Sequence, residues 1–238
     1  MDIQVFRINS KLIEFAWAKL INDEIFEDQL RFKRFLEHEY QEGIKEIRIG
    51  FHTLTLRLRL DITVQDAEDI ISEFSQVSKS SFSLNNETKI WKLPICYDTK
   101  FGFDLSKLSD LHTIDINEIV RLHSIPTYRI HFYGFLPGFM YLAGLSEKLF
   151  TPRKADPDRA IPKGTLAIGG RQTGIYPQES PGGWHAIGRY PFDLFEIKNT
   201  PPVPMKLGDQ VKFIPISLSD YSKLQKSSSL VKYQKEHD

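Results

Sequence analysis

A carboxylate, a hydroxyl, two glycines and a large aromatic ring follow one another in one short segment, Glu179-Ser180-Pro181-Gly182-Gly183-Trp184. Ser180 could act as a nucleophile only with a general base and an oxyanion hole. His131 and His185 are the available bases, and the two glycines could supply N–H donors. An acyl-transfer centre would have His131, Glu179 and Ser180 as its catalytic residues. The alternatives are a rigid loop that lines a small-molecule pocket and a turn with an architectural role alone.

A second glycine-rich segment, residues 169–174, is a candidate anion site. Successive backbone N–H groups around Gly170 and Gln172 can form a concave nest for phosphate or carboxylate. The alternative is a strand followed by a glycine turn that only closes a barrel. No Walker A pattern occurs in the chain, so a nucleotide would have to be held by another arrangement.

Arg153 is the candidate for holding an anionic ligand, because a guanidinium binds carboxylate or phosphate through two parallel hydrogen bonds. It lies between Thr151-Pro152 and Lys154, so a solvated basic loop is the alternative interpretation. The predicted ligand-binding residues are Arg153, Gly170, Gln172, Tyr176, Gly182 and Gly183.

Glycine and proline are so frequent in the second half that short strands joined by turns are expected there. Eleven of the 14 glycines and ten of the 13 prolines lie between residues 134 and 208, and both residue types set turn geometry. Alternation along a predicted strand at 128–133 places Arg129, His131 and Tyr133 on one face. The nearby aromatic residues are interpreted as barrel core rather than a stacking platform; they are Phe135, Phe139, Tyr141 and Trp184.

Residues 1–95 are predicted to form a small α+β lobe. Asn22 and Thr63 are expected to cap two helices that carry apolar stripes. Alternating segments around them predict strands with one buried face. A last strand at 90–97 gives the order ββαββαβ, which predicts an antiparallel sheet with both helices on one face.

Residues 96–127 are predicted to be a helical connector between two domains. Asp104 and Asp115 are placed to cap its helices. His112 and His123 lie in this segment without a carboxylate or a third ligand at metal-site spacing. We therefore expect them to be surface or packing histidines, and we predict no metal site.

Composition gives no support to several classes of function. The 238 residues contain 31 Lys+Arg and 31 Asp+Glu, so no net field attracts nucleic acid or an anionic membrane. Cys96 is the single cysteine, which excludes an internal disulfide and a cysteine-based metal cluster. The N-terminus does not resemble a secretory signal, and no segment approaches the ~18 apolar residues of a membrane helix. A cytoplasmic protein is expected.

Six motifs, in order, resemble the first subunit of the bacterial allophanate hydrolase-like family. They are Gly134-Phe135-Leu136-Pro137-Gly138-Phe139, Thr151-Pro152-Arg153, Ile161-Pro162-Lys163-Gly164-Thr165, Gln172-Thr173-Gly174-Ile175-Tyr176-Pro177, Ser180-Pro181-Gly182-Gly183-Trp184 and Ile187-Gly188-Arg189. That family includes the B subunit of ATP-dependent bacterial 5-oxoprolinase and an inhibitor of a sporulation histidine kinase. The resemblance implies a ferredoxin-like α+β lobe and a cyclophilin-like β-barrel, which we assign to residues 128–238.

The resemblance also implies a function in a complex. The expected reaction opens the lactam of 5-oxoproline to L-glutamate with ATP hydrolysis, on an enzyme that also contains a homologous C subunit and a separate A subunit. ATP, with any Mg²⁺ it carries, would bind here or on a partner, and this chain alone is not expected to be active. The alternatives are a regulatory protein that inhibits a sensor histidine kinase and one component of an allophanate (urea amide) hydrolase.

Overall fold

The computed structural model describes residues 2–78, 81–82, 88–227, 230 and 233–234. The chain divides into two compact units, Met1–Glu87 and Thr88–Asp238. Each unit contains a hydrophobic core of its own, which is the property that defines a domain.

The first unit is an antiparallel sheet with helices. Its described elements are β1 (Gln4–Asn9), β2 (Leu12–Ala16), α1 (Asp23–Glu39), β3 (Ile44–Ile49), β4 (Thr53–Leu58) and α2 (Val64–Gln76). The strand order is β1-β2-β4-β3, so β4 lies between the two strands that α1 connects. This is the split βαβ connection of ferredoxin-like folds, and it confirms the predicted α+β class.

Both helices of the first unit begin at the predicted caps. The side chain of Asn22 accepts a hydrogen bond of 2.9 Å from the Ile25 N–H, and Thr63 forms a reciprocal capping box with Asp66. The two apolar stripes share one buried cluster with strands β2 and β4, so both helices cover the same face of the sheet. The cluster includes Ile13, Phe15, Phe32, Phe35, Leu54, Leu56, Ala67 and Ile70.

The second unit is built around a closed β-barrel. Its described strands are β5 (Ile90–Cys96), β6 (Thr127–Tyr133), β7 (Met140–Ala143), β8 (Asp158–Ile161), β9 (Thr165–Gly169), β10 (Gln172–Ile175), β11 (Ser180–Gly182), β12 (His185–Arg189) and β13 (Gln210–Ile216). The barrel order is β10-β7-β6-β13-β5-β12-β9, and β8 pairs with β11 beside it. The helices are α3 (Leu105–His112), α4 (Ile116–Ser124) and α5 (Leu218–Ser227). The barrel agrees with the cyclophilin-like architecture that the resemblance implied.

The strand β5 lies in the barrel and not in the first unit, which corrects the predicted order ββαββαβ and the boundary at residue 95. β5 pairs in parallel with β13, from Ile90 opposite Gln210 to Cys96 opposite Ile216. From Leu93 onward it is buried at consecutive positions. A strand buried on both faces has a continuous apolar sequence that does not reveal its partner.

The helices predicted as a connector belong to the barrel unit. The residues that they contribute to its core include Leu105, Leu108 and Ile119. Asp115 caps α4 as predicted, accepting 3.0 Å from the Glu118 N–H. Asp104 does not cap α3 through its side chain. Its carboxylate instead accepts from the Ala186 N–H at 2.8 Å and from the ammonium of Lys154 at 2.7 Å.

A chain of hydrogen bonds crosses the buried core of the second unit. The Tyr97 hydroxyl donates to His123 Nδ1 at 2.8 Å, and His123 Nε2 donates to Thr173 Oγ1 at 2.8 Å. The Thr173 hydroxyl donates in turn to the Ala167 carbonyl at 2.9 Å. Burial lowers the pKa of His123 to about 3, so its ring is neutral at physiological pH and serves as a packed donor and acceptor.

The barrel assignment of β5 predicts how fragments of the chain fold. A fragment that begins at Thr88 keeps each described barrel strand and should unfold in one cooperative thermal transition, measured by circular dichroism. A fragment that begins at Asp98 lacks β5, which leaves the main-chain groups of β12 and β13 unpaired. That fragment should show no cooperative transition. Cooperative unfolding of both fragments would contradict the assignment.

Candidate functional site

A small cavity opens at one side of the barrel unit. Its volume is about 290 Å³. The residues that line it are Phe135, Phe139, Tyr141, Arg153, Pro157, Tyr176, Pro181, Gly182, Gly183 and Trp184. Five of these ten residues are aromatic, and Arg153 supplies the cationic group among them.

The aromatic walls are held in place by edge-to-face packing around Phe139. Its ring centroid lies 5.0 Å from Tyr141, 5.4 Å from Tyr176 and 5.4 Å from Trp184. Phe139, Tyr176 and Trp184 are all buried. The Trp184 ring also packs directly on the backbone of Gly169, where an added Cβ would lie 2.3 Å from the ring. The same side chains are thus core residues on one side and cavity wall on the other.

The loop between β6 and β7 forms the rim of the cavity. Leu136-Pro137-Gly138-Phe139 is a type II turn, in which the Phe139 N–H donates to the Leu136 carbonyl at 3.0 Å and Gly138 has a φ of 82°. The Gly134 N–H donates to the Phe139 carbonyl at 3.2 Å and closes the loop. The proline and glycine punctuation therefore produces a rigid rim.

Arg153 lies in a short segment, residues 151–154, that we call the strap. Hydrogen bonds fix the backbone of the strap on both sides of Arg153. Thr151 and Gly170 exchange two main-chain hydrogen bonds of 3.1 and 2.6 Å. His185 Nε2 hydrogen-bonds to the Pro152 carbonyl at 2.9 Å. The Lys154 N–H donates to the Gly183 carbonyl at 2.7 Å. These contacts hold the backbone of Arg153 beside the cavity.

The Lys154 side chain is also fixed, because its ammonium donates to Asp104 and to Asp158 at 2.7 and 2.6 Å. Arg153 differs: within the described part of the chain no carboxylate forms an ion pair with it. Its guanidinium carbon lies 5.8 Å from the centroid of the Trp184 ring, a cation–π distance. The strap thus presents a cation that is not paired with a carboxylate of the described residues.

Two tyrosine hydroxyls belong to the same electrostatic environment. Burial raises the pKa of Tyr141 above its ordinary value and that of Tyr176 to about 12, and the charge of Arg153 opposes both shifts. Both hydroxyls are therefore neutral at pH 7. A neutral hydroxyl can donate to a ligand carbonyl or accept from a ligand N–H.

The structure brings part of the predicted ligand-binding set together. Arg153, Tyr176, Gly182 and Gly183 line the cavity. Gly170 and Gln172 are not among the lining residues. They belong to a tight hairpin between β9 and β10, in which Gln172 pairs with Gly169. The Gly170 N–H that was expected to face an anion donates to the Thr151 carbonyl.

The residues predicted to be catalytic do not line the cavity either. Glu179 is exposed. The Ser180 hydroxyl donates to the adjacent Pro181 carbonyl at 3.2 Å. His131 is buried at a bulge, where the pairing of β6 with β7 shifts between Ile130 and Phe132. The bulge interrupts the alternation on which the predicted common face of Arg129, His131 and Tyr133 depended.

The described residues contain no cluster of three His, Cys, Asp or Glu side chains that could hold a metal ion. Within the same residues, no helix is long and apolar enough to cross a membrane.

The fold and the cavity define a two-unit protein whose closed barrel carries a small aromatic cavity with an arginine beside it. Residues 1–205 match the family model described as carboxyltransferase domain, subdomain C and D, and the chain belongs to this family.

The chain is similar to two curated relatives that are each named as the B subunit of 5-oxoprolinase. The protein from Bacillus subtilis (strain 168) is 35% identical over 165 residues, which cover 69% of this chain and 66% of that protein. The protein from Haemophilus influenzae is 36% identical over 183 residues, which cover 77% of this chain and 84% of that protein. The match thus spans just under two thirds of the first relative and more of the second.

Solved structures show the same fold. The urea amidolyase of Kluyveromyces lactis superposes with a TM-score of 0.78 over 97% of this chain and 16% of that chain, at 18% identity. A conserved uncharacterized protein from Pyrococcus horikoshii is 29% identical and has a TM-score of 0.54 over 92% of this chain and all of that chain. The first of these likenesses supports the architecture alone.

The packing of the cavity predicts different effects of alanine at two adjacent glycines. A Cβ at Gly182 would lie 2.3 Å from the Tyr176 hydroxyl, whereas a Cβ at Gly183 would have no neighbour closer than 3.4 Å. Gly182→Ala should lower the free energy of unfolding by about 1–3 kcal/mol, since it overpacks the cavity wall. Gly183→Ala should change it by less than about 0.5 kcal/mol. Urea denaturation of both variants measures the difference, and equal losses would contradict the described packing.

Proposed function

We propose that this chain is the B subunit of an ATP-dependent 5-oxoprolinase, the complex that opens 5-oxoproline to L-glutamate. Two relatives with this name, each about a third identical over most of this chain, support the assignment. The proposed partners are a homologous C subunit and a separate A subunit. The structure of this chain suggests what the B subunit contributes.

The observation that carries the proposal is the Arg153 guanidinium beside an aromatic cavity, with no carboxylate of the described residues in an ion pair with it. A guanidinium without a protein carboxylate is a binding group for an external one, and a bidentate pair of this kind contributes roughly 1.5–3 kcal/mol. The volume of about 290 Å³ is just below the roughly 300–1,000 Å³ that is typical of ligand pockets. The cavity is therefore suited to a small ring that carries a carboxylate, which is the chemistry of 5-oxoproline.

In the proposed pose the carboxylate of 5-oxoproline pairs with Arg153 and the lactam ring lies against the aromatic walls. The hydroxyls of Tyr141 and Tyr176 then face the polar edge of the lactam amide. This arrangement binds and orients the substrate. The proposed role of the chain is substrate binding. His131, Glu179 and Ser180 have no catalytic role in this proposal because they do not line the cavity.

The residues of this chain do not fit ATP at the sites that the sequence suggested. In the hairpin at 169–172 the Gly170 N–H donates to the Thr151 carbonyl and Gln172 pairs with Gly169, and the cavity is small for a nucleotide. We propose that ATP binds on a partner protein of the complex. In this arrangement the complex needs this chain to bind 5-oxoproline and needs a partner protein to bind ATP.

Glutamate release from 5-oxoproline and ATP tests the proposal. The chain is co-expressed with its presumed A and C partners, and each is omitted in turn. Activity should disappear when this chain alone is missing. Release of glutamate without it, or a fully assembled complex that releases none, would contradict the assignment.

The same assay tests the role of Arg153. Arg153→Met removes the charge but keeps much of the stem, and it should raise the KM for 5-oxoproline roughly 10- to 100-fold, the equivalent of one lost charge-assisted pair. Arg159→Met is the matched control, because Arg159 is exposed and does not line the cavity. An unchanged KM in Arg153→Met would show that the substrate carboxylate is bound elsewhere.

A further inference from the structure

Phe135 combines two properties that are unusual for a phenylalanine. Its side chain is 59% exposed, and its φ is 63°, in the left-handed region that side chains with a Cβ rarely adopt. Packing in the hydrophobic core does not account for either property, because Phe135 is not a core residue. Both belong to a residue at the rim of the cavity.

The backbone of Phe135 is held in this conformation by the turns around it. The Leu136 N–H donates to the Gly134 carbonyl at 2.7 Å, so Phe135 is the central residue of a γ-turn with positive φ, a rare and strained type. The type II turn at 136–139 follows immediately. Glycine or asparagine would adopt this conformation more easily than phenylalanine.

The aromatic ring of Phe135 extends the wall of the cavity. Its centroid lies 5.5 Å from Phe139 and 6.2 Å from Tyr176, edge to face in both cases. A ring that is mostly in water gains little from folding, and the backbone that carries it is strained. Strain of this kind persists at sites where it serves a function.

We infer that Phe135 is a substrate-binding residue whose ring covers the flat lactam ring of 5-oxoproline while Arg153 holds the carboxylate. This inference rests on the proposed function. The ligand then lies between the inner aromatic wall and the ring of Phe135. The exposed face of Phe135 becomes buried when the substrate binds, which supplies the apolar contact that is absent in the free protein.

Kinetics of the assembled complex and stability of the free chain test the inference together. Phe135→Gly and Phe135→Asn remove the ring and relieve the backbone, so the KM for 5-oxoproline should rise about three- to tenfold with kcat within about twofold. The thermal midpoint should stay the same or rise. Phe135→Tyr keeps the ring and should restore the wild-type KM.

Ile197→Asn is the control for loss of an exposed apolar side chain, because Ile197 is 76% exposed and does not line the cavity. It should leave the KM unchanged. A lower thermal midpoint in both ring-deleted variants would show a structural role and overturn the inference. An unchanged KM of Phe135→Gly and Phe135→Asn in an active complex would also overturn the inference, but it would leave the proposed function intact. A wild-type complex that releases no glutamate overturns the proposed function and this inference with it.

Discussion

The parallel pairing of β5 with β13 is the constraint on which the second unit depends. It joins Ile90–Cys96 to Gln210–Ile216, and every other barrel strand lies between these two segments in the sequence. The barrel is closed only when that long-range contact is present, and the loss of chain entropy for so long a loop must be offset by burial along both strands. Trp91 and Asp209 add a buried hydrogen bond of 2.8 Å at the same seam. The pairing of β5 with β13 thus keeps in place the barrel strands whose loops form the cavity.

The cavity depends in turn on the strap at 151–154. Main-chain and side-chain contacts use the polar groups on both sides of Arg153, including the Pro152 carbonyl and the Lys154 ammonium. The arginine side chain alone is left to face a ligand. The backbone that carries this cation is fixed before a ligand binds, so it loses little conformational entropy on binding. An irregular, glycine-rich segment can therefore form a specific site.

Features set by neighbouring residues could be predicted from the sequence. The caps at Asn22, Thr63 and Asp115 depend on contacts three residues away, and all three form. The domain to which β5 belongs is decided by its pairing with β13, more than a hundred residues later in the sequence. No local sequence pattern encodes that pairing. The environment of His131 depends on a bulge, and one extra residue there interrupts the period of two. Arg153 is predicted from its chemistry. The interpretation of the aromatic residues as core is confirmed for Phe139 and Trp184 and is wrong for Phe135, which is 59% exposed, because a residue type does not reveal which rings border a cavity.

The most direct measurement of the central claim is the position of bound 5-oxoproline in a crystal structure of the assembled complex. We expect the ligand in the aromatic cavity of this chain, with its carboxylate oxygens about 2.7–2.9 Å from the guanidinium nitrogens of Arg153. Ligand bound on another protein of the complex, with Arg153 making no contact to it, would contradict this role.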